Sequence, residues 1–143
     1  MNGNVEFLNY IHQNAEMGKD TINQLMGISQ DEEYKKVLMS QMQEYKMIYD
    51  STDEKLKEIN KETKDINAFS KVSTYAMVNL KTLADKSPSH ISEMLIQGST
   101  MGIVDLTKKL KEYASADEEI LDLANKLLQL EQKNVEDCKK YLQ

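Results

Sequence analysis

The side chains able to do chemistry are few in kind. All 18 basic residues are lysine, the histidines are His12 and His90, and Cys138 is the only cysteine. One cysteine can form neither an internal disulfide nor a thiolate zinc or iron–sulfur site within one chain. Two histidines cannot build a site made mainly of imidazoles. Without arginine there is no planar fork to clamp a carboxylate or phosphate bidentately. A genome poor in G and C is the simple cause of that bias. The glycines lie within helical patterns rather than in a phosphate-binding loop. No Ser–His–acid set can be assigned.

What remains is carboxylate chemistry, and Glu131 is its most informative member. A helical period places Glu131 and Asn134 on one seam with Ile120, Ala124, Leu127, Cys138 and Tyr141. Burying a charge is costly unless it is paired. Glu131 is therefore expected to be protonated, hydrogen-bonded to Asn134, Gln41 or Gln97, or met by Lys46 or Lys133. Such a network sets helix register rather than performing chemistry. Cys138 reads as a small packing residue. His12 flanks the first helical seam, and His90 sits in a first helical turn, where the dipole disfavours a cation. Neither is given a role.

Long helices must position these groups. One is expected over 4–28, with Leu8, Ile11, Ala15, Gly18, Ile22 and Leu25 as its seam and Gly27 relieving a left-handed turn at its end. Ser29-Gln30-Asp31-Glu32 has the form of a capping box and opens a second helix, running to about Asn60. The seam of that helix is Tyr34, Leu38, Gln41, Tyr45, Ile48, Thr52 and Leu56. A shorter crossover helix is expected over 65–85, with Phe69, Val72, Ala76, Leu80 and Leu83 inward. Pro88 suits a first helical turn and opens the next helix, which carries Ile91, Leu95, Gly98, Gly102, Leu106 and Tyr113. Ser115-Ala116-Asp117-Glu118 is a second capping box before the last helix. The result is one domain over 1–143: a helix pair at 4–60, the crossover, and a helix pair at 88–142. About 20 helical residues rise about 30 Å, so a middle helix of this size can return the chain along the bundle.

The halves also look alike. Met17-Gly18 has a counterpart in Met101-Gly102, and Glu44-Tyr45-Lys46-Met47-Ile48 parallels Glu131-Gln132-Lys133-Asn134-Val135. Gly98 and Gly102 lie four apart, and each costs about 1 kcal/mol relative to alanine in a helix. Close approach of another helix near Ala15 and Gly18 is the expected compensation. A groove for a partner helix or ligand is the alternative. Met17, Met47, Met94 and Met101 are expected to fill the bundle centre.

This layout resembles the ferritin-like superfamily over nearly the whole chain. The stretch 127–136, Leu-Leu-Gln-Leu-Glu-Gln-Lys-Asn-Val-Glu, is similar to the last helix of such proteins. Uncharacterised members from low-G+C bacteria and the coat F spore proteins are the relatives it suggests. The resemblance implies an all-α, antiparallel four-helix bundle with a helical crossover between pairs. It also implies a di-metal site, built from a Glu on each of two helices and a Glu-x-x-His on each of the others. Carboxylate oxygens would bridge two cations and offset their charge, with imidazoles filling the remaining positions. On that template Glu44 and Glu131 take the Glu places, while Met47 and Asn134 stand where histidine belongs. Glu16 and Glu93 are the candidates from the other two helices; the repeat maps Glu16 onto Thr100. Met47 and Asn134 are poor iron ligands, so the metal positions read as degenerate.

The expectation is a non-catalytic bundle acting as a structural or protein-interaction module, with no cofactor. A homodimer or a protein partner would fit it. The alternative is a divergent iron-binding or oxidase protein that uses Glu16, Glu44, Glu93 and Glu131. A small apolar ligand in a methionine-lined centre is a third possibility. The net charge of −6 disfavours nucleic acid. No apolar run is long enough to span a membrane. Residues 1–9 lack the basic start and apolar stretch of a signal peptide, so a cytoplasmic setting is expected; the resemblance to coat F proteins implies spore association as an option within it.

Overall fold

The computed structural model describes residues 3–63 and 83–143. They form four helices: α1 Asn4–Ile28, α2 Glu32–Thr63, α3 Pro88–Glu112 and α4 Glu118–Lys139. Together these make an all-α bundle, with α1 packed along α2 and α3 along α4. Among the described residues, no helix is long and apolar enough to cross a membrane.

Side-chain pairs set the helix directions. His12 of α1 meets Thr52 of α2, and Gly18 faces Tyr45, so α1 and α2 run antiparallel. Gly102 faces Glu131, and the Ser89 hydroxyl accepts from the Gln143 amide, so the strand of chain from α3 to α4 also reverses. The Tyr34 and Ser92 hydroxyls share a buried hydrogen bond of 2.7 Å near the starts of α2 and α3. Those two helices are therefore parallel. Lys133 pairs with Glu44 and Lys55 with Glu119, which makes α2 and α4 antiparallel. The resulting order, up-down-down-up, is the one a long connection between helix pairs requires. Most of the expected crossover helix, 65–85, lies outside the described residues. Its expected last residues, Leu83 to Asp85, are described and are not helical.

The helix ends depart from expectation in their chemistry. Asp31, not Ser29, caps α2: its Oδ1 accepts from the Tyr34 amide at 2.9 Å. An aspartate immediately before the first helical residue serves as well as a serine two residues earlier. At α4 neither Ser115 nor Asp117 caps through its side chain. Instead Asn4 of α1 accepts from the Asp117 amide at 2.8 Å, so the cap comes from a neighbouring helix. Gly27 lies inside α1 and does not end it. The positive φ belongs to Gly3, at 75°, where the chain enters α1 against the Tyr113 ring. Ser87 and Pro88 open α3 as expected, with the Ser87 hydroxyl accepting from the His90 amide.

The expected seams of α1, α2 and α4 form the core. Leu8, Ile11, Ala15, Leu25, Tyr34, Leu38, Ile120 and Leu127 are all essentially inaccessible. Fully burying one such side chain contributes about 1.5–3 kcal/mol. Phe7 stacks on Tyr113 at 5.1 Å and closes one end of the bundle. Tyr34 meets Tyr141 edge-on at the other.

The expected α3 seam is core at Ile91 and Leu106, and Gly102 packs on Glu131, but Gly98 is not on it. Ile91, Ser92, Ser99 and Leu106 are buried, whereas Gly98 is exposed. Three of the four methionines expected at the centre are exposed, Met17 at 38% and the other two more fully. Met47 and Met101 are 69% and 68% exposed, because one helical residue is a rotation of about 100° and both fall on outer faces. Met94 is partly buried against the core, and Met17 stands at its margin.

The glycines test this packing. A Cβ on Gly18 would lie 2.5 Å from the Tyr45 ring, while one on Gly98 would meet nothing within 4 Å. Close approach therefore explains Gly18 but not Gly98. Gly98→Ala should raise stability by about 1 kcal/mol, the helix-propensity difference. Gly18→Ala should lower it, since overpacking of about 1–3 kcal/mol outweighs that gain. Urea unfolding of both variants checks the opposite signs.

Candidate functional site

The chemically unusual point of the bundle lies where α4 faces α1, α2 and α3 at mid-height. Glu131 on α4 is only 7% exposed. Its carboxyl lies against Gly102 of α3, where an added Cβ would sit 3.1 Å from Oε1. Gly102 thus makes room for this side chain, which accounts for one of the two costly glycines of α3. The hydroxyls of Ser99 and Tyr45 hydrogen-bond the carboxylate. None of the lysines expected to reach it does so. Lys133 pairs with Glu44 at 3.1 Å and Lys46 with Asp50 at 2.8 Å, both on the surface. Gln41 donates to Cys138 Sγ instead, and Gln97 is exposed.

A buried carboxyl with hydroxyl donors and no cation holds its proton more tightly than in water. Burial pushes Glu131 up to about 7, against the opposing pull of the Ser99 and Tyr45 hydrogen bonds. Burial, and then the charge of Glu131, pushes the Tyr45 phenol far above its ordinary range. Tyr10 is raised to about 12 by burial and by the charges of Asp105 and Glu131. Both phenols are therefore neutral hydrogen-bonding groups at neutral pH. Burial likewise raises the Cys138 thiol, so it is protonated and unreactive.

Asn134, one turn along α4, is 2% exposed, and neither of its amide atoms has a hydrogen-bond partner. The Tyr45 hydroxyl stands beside it without a bond of ordinary geometry. An unsatisfied buried polar group costs about 1–3 kcal/mol. Glu131 and Asn134 both line a cavity of about 220 Å³. Met17, Gly18 and Thr21 of α1 face Met94, Leu95 and Gly98 of α3 across it. Gln41 and Tyr45 of α2 line its inner side.

The remaining sequence candidates do not come here. Glu44 pairs with Lys133 on the rim of an outer groove between α2 and α4, which Met47 also lines. Glu93 is exposed beside His90, with 3.6 Å between His90 Nδ1 and Glu93 Oε1. Glu16 lies on α1 near His12, Lys19 and Tyr49. Among the described residues, no three His, Cys, Asp or Glu side chains are grouped so as to hold a metal ion.

The internal repeat is off by one residue from the register that the matching letters suggest. Gly18 of α1 packs on Tyr45 of α2, as Gly102 of α3 packs on Glu131 of α4. The structural counterpart of Glu131 is therefore Tyr45, not Glu44, and that of Asn134 is Ile48, not Met47. Sequence reasoning also missed Ser99. The signal was present in the seven-residue spacing of Ser92, Ser99 and Leu106, which puts all three on one helix face.

His12 is a further buried titratable group. Its Nδ1 lies 2.8 Å from Thr52 Oγ1, and its ring stacks on Tyr49 at 4.5 Å. Burial lowers its pKa, with Asp53 and Glu16 opposing. Comparisons of the chain with protein-family models, with curated proteins and with solved structures return no match.

These shifts set opposite slopes of stability against pH. Raising Glu131 from 4.5 to about 7 penalises the folded state as pH climbs through that interval. The penalty is absent below 4.5 and complete above about 7, where it amounts to about 3 kcal/mol. Lowering His12 does the reverse: its contribution is full above 6.5 and falls as pH drops below that value. Glu131→Gln should therefore be clearly more stable than the parent at pH 8 and match it near pH 4.5. In that variant the His12 slope should stand alone, with stability rising as pH rises toward 7. Denaturant melts from pH 4.5 to 8 measure both effects.

Proposed function

We propose that this chain is a ferritin-like bundle of non-catalytic kind, acting as a structural or protein-interaction module. The up-down-down-up helix order supports the ferritin-like part. The observation that carries the non-catalytic part is the donor set around Glu131. A di-metal site needs several anionic oxygens and imidazoles converging on two cations. Here one carboxyl is met by a serine, a neutral phenol and an amide, while Glu16, Glu44 and Glu93 lie elsewhere. That set does not fit paired iron.

The exposed Met47 and Met101, with Met39 and Val104, favour the interaction reading. Methionine surfaces adapt to varied partners. A second copy of the chain or another protein would be the partner.

Anaerobic loading with ferrous iron, followed by desalting and metal analysis, tests the proposal. The expected result is well under one iron per chain and no absorbance change on exposure to air. Two tightly held irons per chain with an optical change would overturn it.

A further inference from the structure

We infer that the cleft between α1 and α3 binds a small primary amine with an apolar body, its ammonium group seated among Glu131, Asn134 and Ser99. The proposal goes beyond the module reading and stands on the cleft's own geometry. The cavity is about 220 Å³. A dry cavity of about 150 Å³ is enough for a benzene ring, so a chain or ring of six to eight carbons is the right size. Met17, Ile22, Leu25, Met94 and Leu95 supply apolar surface for that body.

The polar end is defined by what is missing from it. Among the described residues lining the cleft none is basic, so none of them gives Glu131 a counter-charge. Asn134 is 98% buried by its exposure of 2%, lines the same cavity, and has an acceptor and a donor unused. A primary ammonium carries one positive charge and three donors. It would match the Glu131 carboxylate, the Asn134 Oδ1 and a hydroxyl oxygen of Ser99 or Tyr45. A carboxylate ligand would meet Glu131 with like charge. An alcohol would satisfy Asn134 but leave Glu131 without a cation. Among the described residues, the titratable groups facing Glu131 are Tyr10 and Tyr45, and the charge beyond them is Asp105. None of them supplies the missing cation. Gly98 lies at the cleft with open space where its Cβ would be, which keeps the entrance clear.

Calorimetry at pH 7.5 with hexylamine, hexanol and hexanoate tests this, using the whole chain. Hexylamine should bind one per chain, at least tenfold more tightly than hexanol, with hexanoate weaker still. Glu131→Gln should bring amine and alcohol within about twofold of each other. Gly98→Leu, where an added Cβ meets nothing within 4 Å and the longer side chain would enter the cleft, should abolish binding of both while circular dichroism still reports a folded bundle. Equal affinity for amine and alcohol in the parent protein would overturn the proposal. So would an amine preference that survives Glu131→Gln, or no binding of any of the three, which would mean the cleft holds water only.

Discussion

A carboxyl enclosed in a helical bundle, with no cation beside it among the described residues, constrains everything around it. Glu131 has to be accommodated sterically, and Gly102 does that by leaving out its Cβ. It has to be hydrogen-bonded, and Ser99 and Tyr45 do that from two other helices. Tyr45 in turn lies over Gly18, so α1 contributes a glycine to the same arrangement. Four helices are thus keyed to one side chain through two glycines and two hydroxyls. Apolar burial supplies most of the stabilisation. This contact specifies where along their lengths the helices meet, in the way buried polar groups can fix register.

The same contact organises the surface chemistry around it. The lysines that might have neutralised Glu131 are engaged outside: Lys133 with Glu44, Lys46 with Asp50. Those exposed pairs contribute little to stability individually. Burial is what lets the interior carboxyl keep its proton up to about neutral pH. Asn134 adds a second polar group to the same cavity with its amide unused. The bundle therefore holds a polar patch at mid-height that apolar packing alone would not produce.

Much of the architecture was legible in the sequence because it follows from period and punctuation. The α1 seam from Leu8 to Leu25, the α2 seam from Tyr34 to Thr52 and the α4 seam from Ile120 to Cys138 are all core, and Ser87-Pro88 opens α3. The site was legible only where it obeyed the same period. Glu131 and Asn134 lie on the α4 seam and are buried. Glu44 and Met47 were chosen by matching letters between the halves, although Tyr45 and Ile48 already stood on the α2 seam. A shift of one residue turns a helix by about 100°, so letter matching put solvent-facing groups in ligand places. The α3 seam misled for a related reason. Glycine carries no side chain to reveal its face, and the exposed Gly98 drew the reading away from Ser92 and Ser99. The caps from Asp31 and Asn4 are local or tertiary choices that a capping-box pattern does not resolve.

The central claim is that Glu131 sits in the bundle as an uncompensated acid. Carbon-13 labelling of the glutamate carboxyls, followed by an NMR titration of the folded protein, reads this directly. The account predicts one carboxyl resonance, lost in Glu131→Gln, that titrates with a midpoint near 7. If that resonance titrates in the ordinary range, at about 4 to 4.5, then a cation or solvent reaches Glu131 and the account is contradicted.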